Sequence, residues 1–215
     1  LVLVGMTWRD VKEGTRMERT NETVRVLGNS YYALYRVDYS QGSYETITAQ
    51  DLKKAGAVRE GDIVVINTGW HHKYSDSLEY YGEAPGLTED AAQWLVEKRC
   101  RMVSVDTPFA DHPLATSMGP HRGGPQMKRL AGEYEKATGL DPKKEHGKWN
   151  IVGKTLLGAG IPLIIQAGGD LDEISGKRAT FVATPWKFEH GDACIVRFVA
   201  MVDPNGTCRI DSGKA

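Results

Sequence analysis

GDIVVINTGW, residues 61–70, is the stretch whose reading decides the fold class. Its centre, DIVVINT (62–68), is an unbroken and largely β-branched run. That is the pattern of a strand buried on both faces, not of one with a wet side. Downstream, PGLTEDAAQWL (85–95) predicts a helix capped by Thr88 and running to about Arg99. Glu89 and Asp90 fall in its first turn and Lys98 and Arg99 in its last, where each sign suits the helix dipole. Leu87, Ala91, Trp94 and Leu95 make its apolar stripe. RMVSVD (101–106) is the next buried strand. Upstream, YALYRVD (32–38) alternates as a strand does, and Thr48 caps a short helix through Lys54 that Gly56 stops.

Beyond the second buried strand, Pro125 to Thr138 predicts an exposed helix ending at Gly139. Asn150 is expected to cap a helix to Leu157, and strands are expected over 161–167, 181–184 and 194–203. Asp203-Pro204-Asn205-Gly206 is a turn signal, so residues 207–210 are expected to form a hairpin partner. Strands alternate with helices in the middle and become hairpin-like at the end, which predicts an α/β fold on a mixed sheet with flanking helices. The first 30 residues are polar with alternating charges. They are expected to form an N-terminal arm, with residues 31–215 as a single α/β domain.

The chain has 215 residues, 40% hydrophobic and 26% charged, enough for one domain with a real core. A net charge of −1 supplies no general attraction to nucleic acid or to an anionic membrane surface. No apolar run approaches the ~20 residues that span a bilayer. The first residue is Leu1, which points to a start inside a longer precursor or to a processed start. Cys100, Cys194 and Cys208 are far apart and form no metal-binding pair, so inert thiols in a reducing, cytoplasmic setting are expected. No G-x-G-x-x-G, Walker or G-x-S-x-G pattern is present, and Ser104 lies inside a strand, a poor place for a nucleophile.

The order GDIVVINTGW, PGLTEDAAQWL, VSVDTPFAD (103–111) and LLGAGIPLIIQ (156–166) resembles the cyclase family of metal-dependent hydrolases, which includes kynurenine formamidase and isatin hydrolase. The resemblance covers roughly Tyr31 to Asp203. It implies the swivelling β/β/α fold and hydrolysis of a small cyclic or N-acyl substrate at an amide or lactam C–N bond. It also implies a divalent metal, zinc or manganese. Family members draw most metal ligands from an upstream His-x-Gly-Thr-His-x-Asp motif, whereas the first histidine here is His71. The later His and Glu ligand positions fall on Gly153 and Ile165, neither of which carries a donor. Gln166, next to the second, is the one metal-ligand candidate. The metal is therefore expected to be held largely by another chain or fragment, in a homo- or hetero-oligomer.

Loop position and residue chemistry select the remaining candidates. Trp70, His71 and Asp106 follow the two buried strands and are expected to bind substrate. Asp111, His112 and His121 belong to DHPLATSMGPHRGGP and its flank, a long polar loop of the kind that carries function, and are the catalytic candidates. His146, in the lysine-rich KKEHGK, and His190, in FEHGD, are expected to be exposed or turn residues. Two other readings remain: a non-catalytic cyclase-fold subunit supporting an active paralogue, and a metal-free enzyme using His112 and His121 as acid and base. If His121 moves a proton in the reaction, His121→Ala lowers kcat by ~10²-fold or more. An unchanged steady-state rate removes it from the set.

Overall fold

The computed structural model describes residues 2–5, 31–36, 43–116, 125–186, 189 and 192–202. Nine strands appear among them: β1 (Val2–Gly5), β2 (Tyr31–Arg36), β3 (Thr46–Ile47), β4 (Ile63–Asn67), β5 (Gly86–Leu87), β6 (Met102–Val105), β7 (Leu163–Ile165), β8 (Arg178–Pro185) and β9 (Ala193–Met201). The helices are α1 (Ala49–Ala55), α2 (Leu78–Gly82), α3 (Glu89–Glu97), α4 (Pro125–Thr138), α5 (Pro142–Glu145) and α6 (Ile151–Gly158).

Seven strands close into a barrel in the order β1-β7-β6-β4-β2-β8-β9. The run β2-β4-β6-β7 is parallel, and β1, β8 and β9 pair antiparallel around the rest. The mixed sheet is as expected. Val2–Gly5 is a correction: placed in the arm by its polar surroundings, it pairs with β7 on one side and β9 on the other. The run VLVG is short but apolar, and its strand partners lie at the far end of the chain, out of reach of local pattern reading.

The unbroken apolar pattern of β4 and β6 has a physical cause. Ile63, Val65 and Met102 point into the barrel, where they meet Ile164, Phe181 and Val196. Val64, Ile66, Val103 and Val105 point outward into a second core under α3 and α6, with Leu95, Val152 and Leu156. All five residues of β4 are therefore buried. Asp62 anchors the start of this strand by taking Arg178 Nη1 and Nη2 at 3.3 and 2.5 Å.

Local signals at the helix ends mostly hold. Thr48 and Asp51 form a reciprocal capping box on α1, an arrangement worth about 1 kcal/mol per cap. Three corrections concern caps and faces. Thr88 stands at the N-cap of α3 but makes no side-chain cap bond; its Oγ1–H donates to Ile47 O at 3.1 Å instead. Asn150 sits at the N-cap of α6 with a left-handed φ of 47° and makes no side-chain cap bond. The cap comes instead from Asp111, whose carboxylate accepts Val152 N–H at 2.8 Å and Gly153 N–H at 2.9 Å. Helix α4, expected to be exposed, buries Leu130 and Tyr134 against Tyr44 and Leu114. Residues 203–210, including the expected hairpin partner, lie outside the described residues; the hairpin partner of β9 is β8.

A short parallel pair, β3 with β5, sits beside the barrel. Leu87 continues it by bridging to Asp111. At Gly86 the two chains come so close that a Cβ would lie 2.2 Å from the His112 amide nitrogen and 2.3 Å from its Cα. Gly86→Ala is expected to cost about 2 kcal/mol or more, because backbone must move. Gly132, with nothing within 4 Å of its Cβ position in α4, serves as control. Gly132→Ala should be neutral or stabilising by up to about 1 kcal/mol. Urea midpoints of the two variants check the contrast; equal midpoints would refute it.

Candidate functional site

The parallel strands β4, β6 and β7 end together, and the segments leaving them carry the polar side chains. Asp106 follows β6 and is fully buried. Its Oδ1 accepts Thr68 N–H at 3.0 Å and Thr68 Oγ1–H at 2.7 Å. Its Oδ2 accepts His71 N–H at 3.4 Å and lies 3.1 Å from His71 Nδ1. The carboxylate thus holds the whole turn that leaves β4, in which Gly69 takes φ 77° and residues 70–73 form a 3-10 turn.

The Asp106 contact fixes the His71 ring. Nδ1 carries the proton toward the carboxylate, which leaves the electron pair on Nε2. The His71 side chain is only 8% exposed, and Nε2 has no hydrogen-bond partner among the described residues. The hydrogen bond to Asp106 raises the imidazole pKa, and burial opposes it in part.

A second turn faces the first. Asp172, in the 3-10 turn after β7, lies 3.9 Å from His71 Nε2 through Oδ2. The same oxygen is 2.6 Å from Nε2 of the exposed His72. Buried Asn67 joins the turns: Nδ2 donates to Asp172 Oδ1 at 2.8 Å and Ser175 Oγ at 2.9 Å, and Oδ1 accepts Gly69 N–H at 2.9 Å. Asp172 is held below the usual carboxylate range, first by Asn67 and also by His72. His71, His72 and Asp172 offer three ligand atoms within 4.8 Å of one another. Sequence reading passed over Asn67 and Asp172, although GGDLD after a strand was the available signal for the latter.

Gln166 belongs to the same end. Its backbone is left-handed (φ 56°), its N–H donates to Thr107 O at 2.9 Å, and its side chain shares a hydrogen bond with Tyr80. The Tyr80 carbonyl accepts Trp70 Nε1–H at 2.9 Å. Trp70 is buried, and Lys73 Nζ stands 4.3 Å over its ring. The indole thus supports the turn from beneath and presents little open wall.

Asp111 and His112 are placed elsewhere, on a cavity of about 760 Å³ that also meets Tyr44, Tyr134 and His146. His112 Nδ1 accepts Leu114 N–H at 3.2 Å, so Nε2 carries the proton and donates to Tyr44 O at 3.2 Å. Both ring nitrogens are spent on backbone. His146 is a correction: it is buried and stacks on His112 with centroids 3.9 Å apart and planes 5° from parallel. Its polar sequence neighbours gave no sign of this. Burial pushes the His112 pKa down to about 3 and that of His146 down to about 4. His121 and His190 lie outside the described residues.

The positions where the resemblance puts a metal-binding His and Glu are occupied by Gly153 and Ile165. Gly153 and Ile165 line a cavity of about 560 Å³ with Leu157, Leu163 and Phe109. Asp111 reaches it, but its oxygens are occupied by two helix amides. The described residues there do not fit a metal.

The Cyclase family model matches residues 18–112. No curated protein matches the chain. Among solved structures, a potential metal-dependent hydrolase with cyclase activity aligns over 93% of this chain and 76% of its own, with TM-score 0.56 and 20% identity. A predicted metal-dependent hydrolase from Bacillus stearothermophilus aligns over 93% and 75%, with TM-score 0.57 and 20% identity. Isatin hydrolase A from Ralstonia solanacearum aligns over 81% and 61%, with TM-score 0.54 and 20% identity. The chain has the fold of the cyclase-type hydrolases and resembles that family in sequence over the matched segment. No helix among the described residues is long and apolar enough to cross a membrane.

The stacked histidines make stability pH-dependent with a defined sign. Their folded pKa values are below the unfolded value of 6.5, so the unfolded chain takes up protons first as pH falls. Stability should decline from pH 6.5 downward. The His146 contribution should level near pH 4 and that of His112 near pH 3, each with a slope of up to about 1.4 kcal/mol per pH unit. The double variant His112→Gln, His146→Gln should flatten urea midpoints across that window; an unchanged slope would assign the titration to other groups.

Proposed function

We propose that this chain takes part in hydrolysing a small cyclic or N-acyl substrate at an amide or lactam C–N bond. The reacting groups lie where β4, β6 and β7 end. The observation that carries this reading is the buried Asp106–His71 pair, which leaves an oriented electron pair on a buried Nε2. Hydrolysis adds water oxygen to a carbonyl carbon, breaks the C–N bond and returns a proton to nitrogen. It needs a fixed electron-pair donor and a neighbouring acid–base group. His71 and Asp172, 3.9 Å apart, meet that need from within this chain. Asp106 orients His71. Gln166 and Tyr80 offer polar contacts to the substrate, and Trp70 supports the turn. Asp111 and His112 hold the loop after β6, a structural part in the same reaction. Fold neighbours named isatin hydrolases and metal-dependent hydrolases support the substrate class and a divalent metal.

The familial metal is assigned no step, because Gly153 and Ile165 offer it nothing. In this reading zinc or manganese at that place draws its ligands from another chain of a homo- or hetero-oligomer. The same two residues favour a second reading, a non-catalytic subunit that supports an active paralogue.

Isatin and an N-formyl arylamine are suitable first substrates, followed by absorbance on ring opening or deformylation. Turnover is expected from the natively purified assembly, with kcat/KM reduced ~10²-fold or more by His71→Ala. No turnover of either substrate, or full activity in His71→Ala, would shift the assignment to the non-catalytic subunit.

A further inference from the structure

We infer that His71, His72 and Asp172 form a divalent transition-metal site of this chain's own, separate from the position that the cyclase resemblance indicates. The three ligand atoms lie within 4.8 Å of one another and come from the two turns that Asn67 ties together. Around zinc, with bonds of about 2.0–2.1 Å, neighbouring tetrahedral donors stand ~3.3 Å apart. The observed separations from Asp172 Oδ2, 3.9 Å to His71 Nε2 and 2.6 Å to His72 Nε2, bracket that value. The His72 side chain is 63% exposed and free to adjust.

An independent observation points to the same place. Among the described residues, His71 Nε2 is a buried polar atom without a hydrogen-bond partner, on a side chain 92% hidden, and it faces Asp172. A buried acceptor left unmet is costly, a cost that a ligand at this point would remove. The surrounding contacts are those that metal ligands ordinarily have. Asp106 holds His71 through Nδ1, so Nε2 is the coordinating nitrogen, and Asn67 occupies Asp172 Oδ1, so Oδ2 faces inward. Two imidazoles and one carboxylate suit zinc and its first-row neighbours and disfavour magnesium and calcium, which require oxygen shells. Three protein ligands leave a fourth tetrahedral position open, as in sites that take water and unlike closed structural sites.

The inference rests on the hydrolase reading for the place of the site and revises one role in it: with an ion bound, the His71 Nε2 electron pair and Asp172 Oδ2 would hold the ion rather than take a proton directly. It is tested without substrate. The full chain, stripped with chelator and dialysed, is titrated with Zn²⁺ against a chromophoric competitor, and Co²⁺ spectra report coordination. One ion per chain is expected, with a tetrahedral Co²⁺ spectrum and no competition by millimolar Mg²⁺. His72→Gln and Asp172→Asn, both at exposed side chains, should each weaken Zn²⁺ binding by ~100-fold or more and abolish the Co²⁺ spectrum. His146→Gln should change neither. Binding no tighter than ~1 mM, or binding unaltered in both His72→Gln and Asp172→Asn, overturns the site. Zinc binding without hydrolysis would leave the site standing and remove the hydrolase reading.

Discussion

A single buried carboxylate organises the functional end of this molecule. Asp106 sits at the end of β6 with no exposure, and the groups that neutralise it come from the turn after β4. A charge in that position is tolerable only when its hydrogen bonds are complete, and removing a partner from such a group typically costs about 3–5 kcal/mol. The turn is therefore obliged to fold as it does. His71 is locked because Asp106 needs its proton, and Asn67 reaches Asp172 because Gly69, at φ 77°, brings the chain back over its amide oxygen.

Two buried histidines show how position decides chemistry. His112 is buried outright, and His71 is half-buried with most of its ring hidden. The first spends both nitrogens on backbone carbonyl and amide, and burial keeps it neutral. The second spends one nitrogen on a carboxylate, which raises its pKa, and its other nitrogen has no hydrogen-bond partner among the described residues. Histidines in a glycine-rich polar loop and histidines after a buried strand are equally suggestive in sequence, and only their partners separate a scaffold from a reacting group.

Legibility followed the range of the interaction. The runs 62–68 and 101–106 revealed strands buried on both faces because alternation is lost when both sides are apolar. Thr48 and its helix were readable because the capping box is complete within four residues. Strand β1 and the β3–β5 pair were not readable, since their partners lie far along the chain. The candidate site was half visible. His71 and Asp106 were each singled out by loop position, but their contact spans 35 residues, and Asp172 became meaningful only beside a turn 100 residues earlier. His146 misled because KKEHGK is polar throughout, while its burial depends on an imidazole from another loop.

Barrel closure carries a consequence for association. Strand β1 fills the gap between β7 and β9, so among the described barrel strands no row of backbone amides and carbonyls is left unpaired at an edge. Strand addition, the cheapest way for two sheets to join, is closed to this barrel. Any companion must meet side chains instead, and the outward face of β9 presents Ile195, Val199 and Met201 interrupted by Arg197.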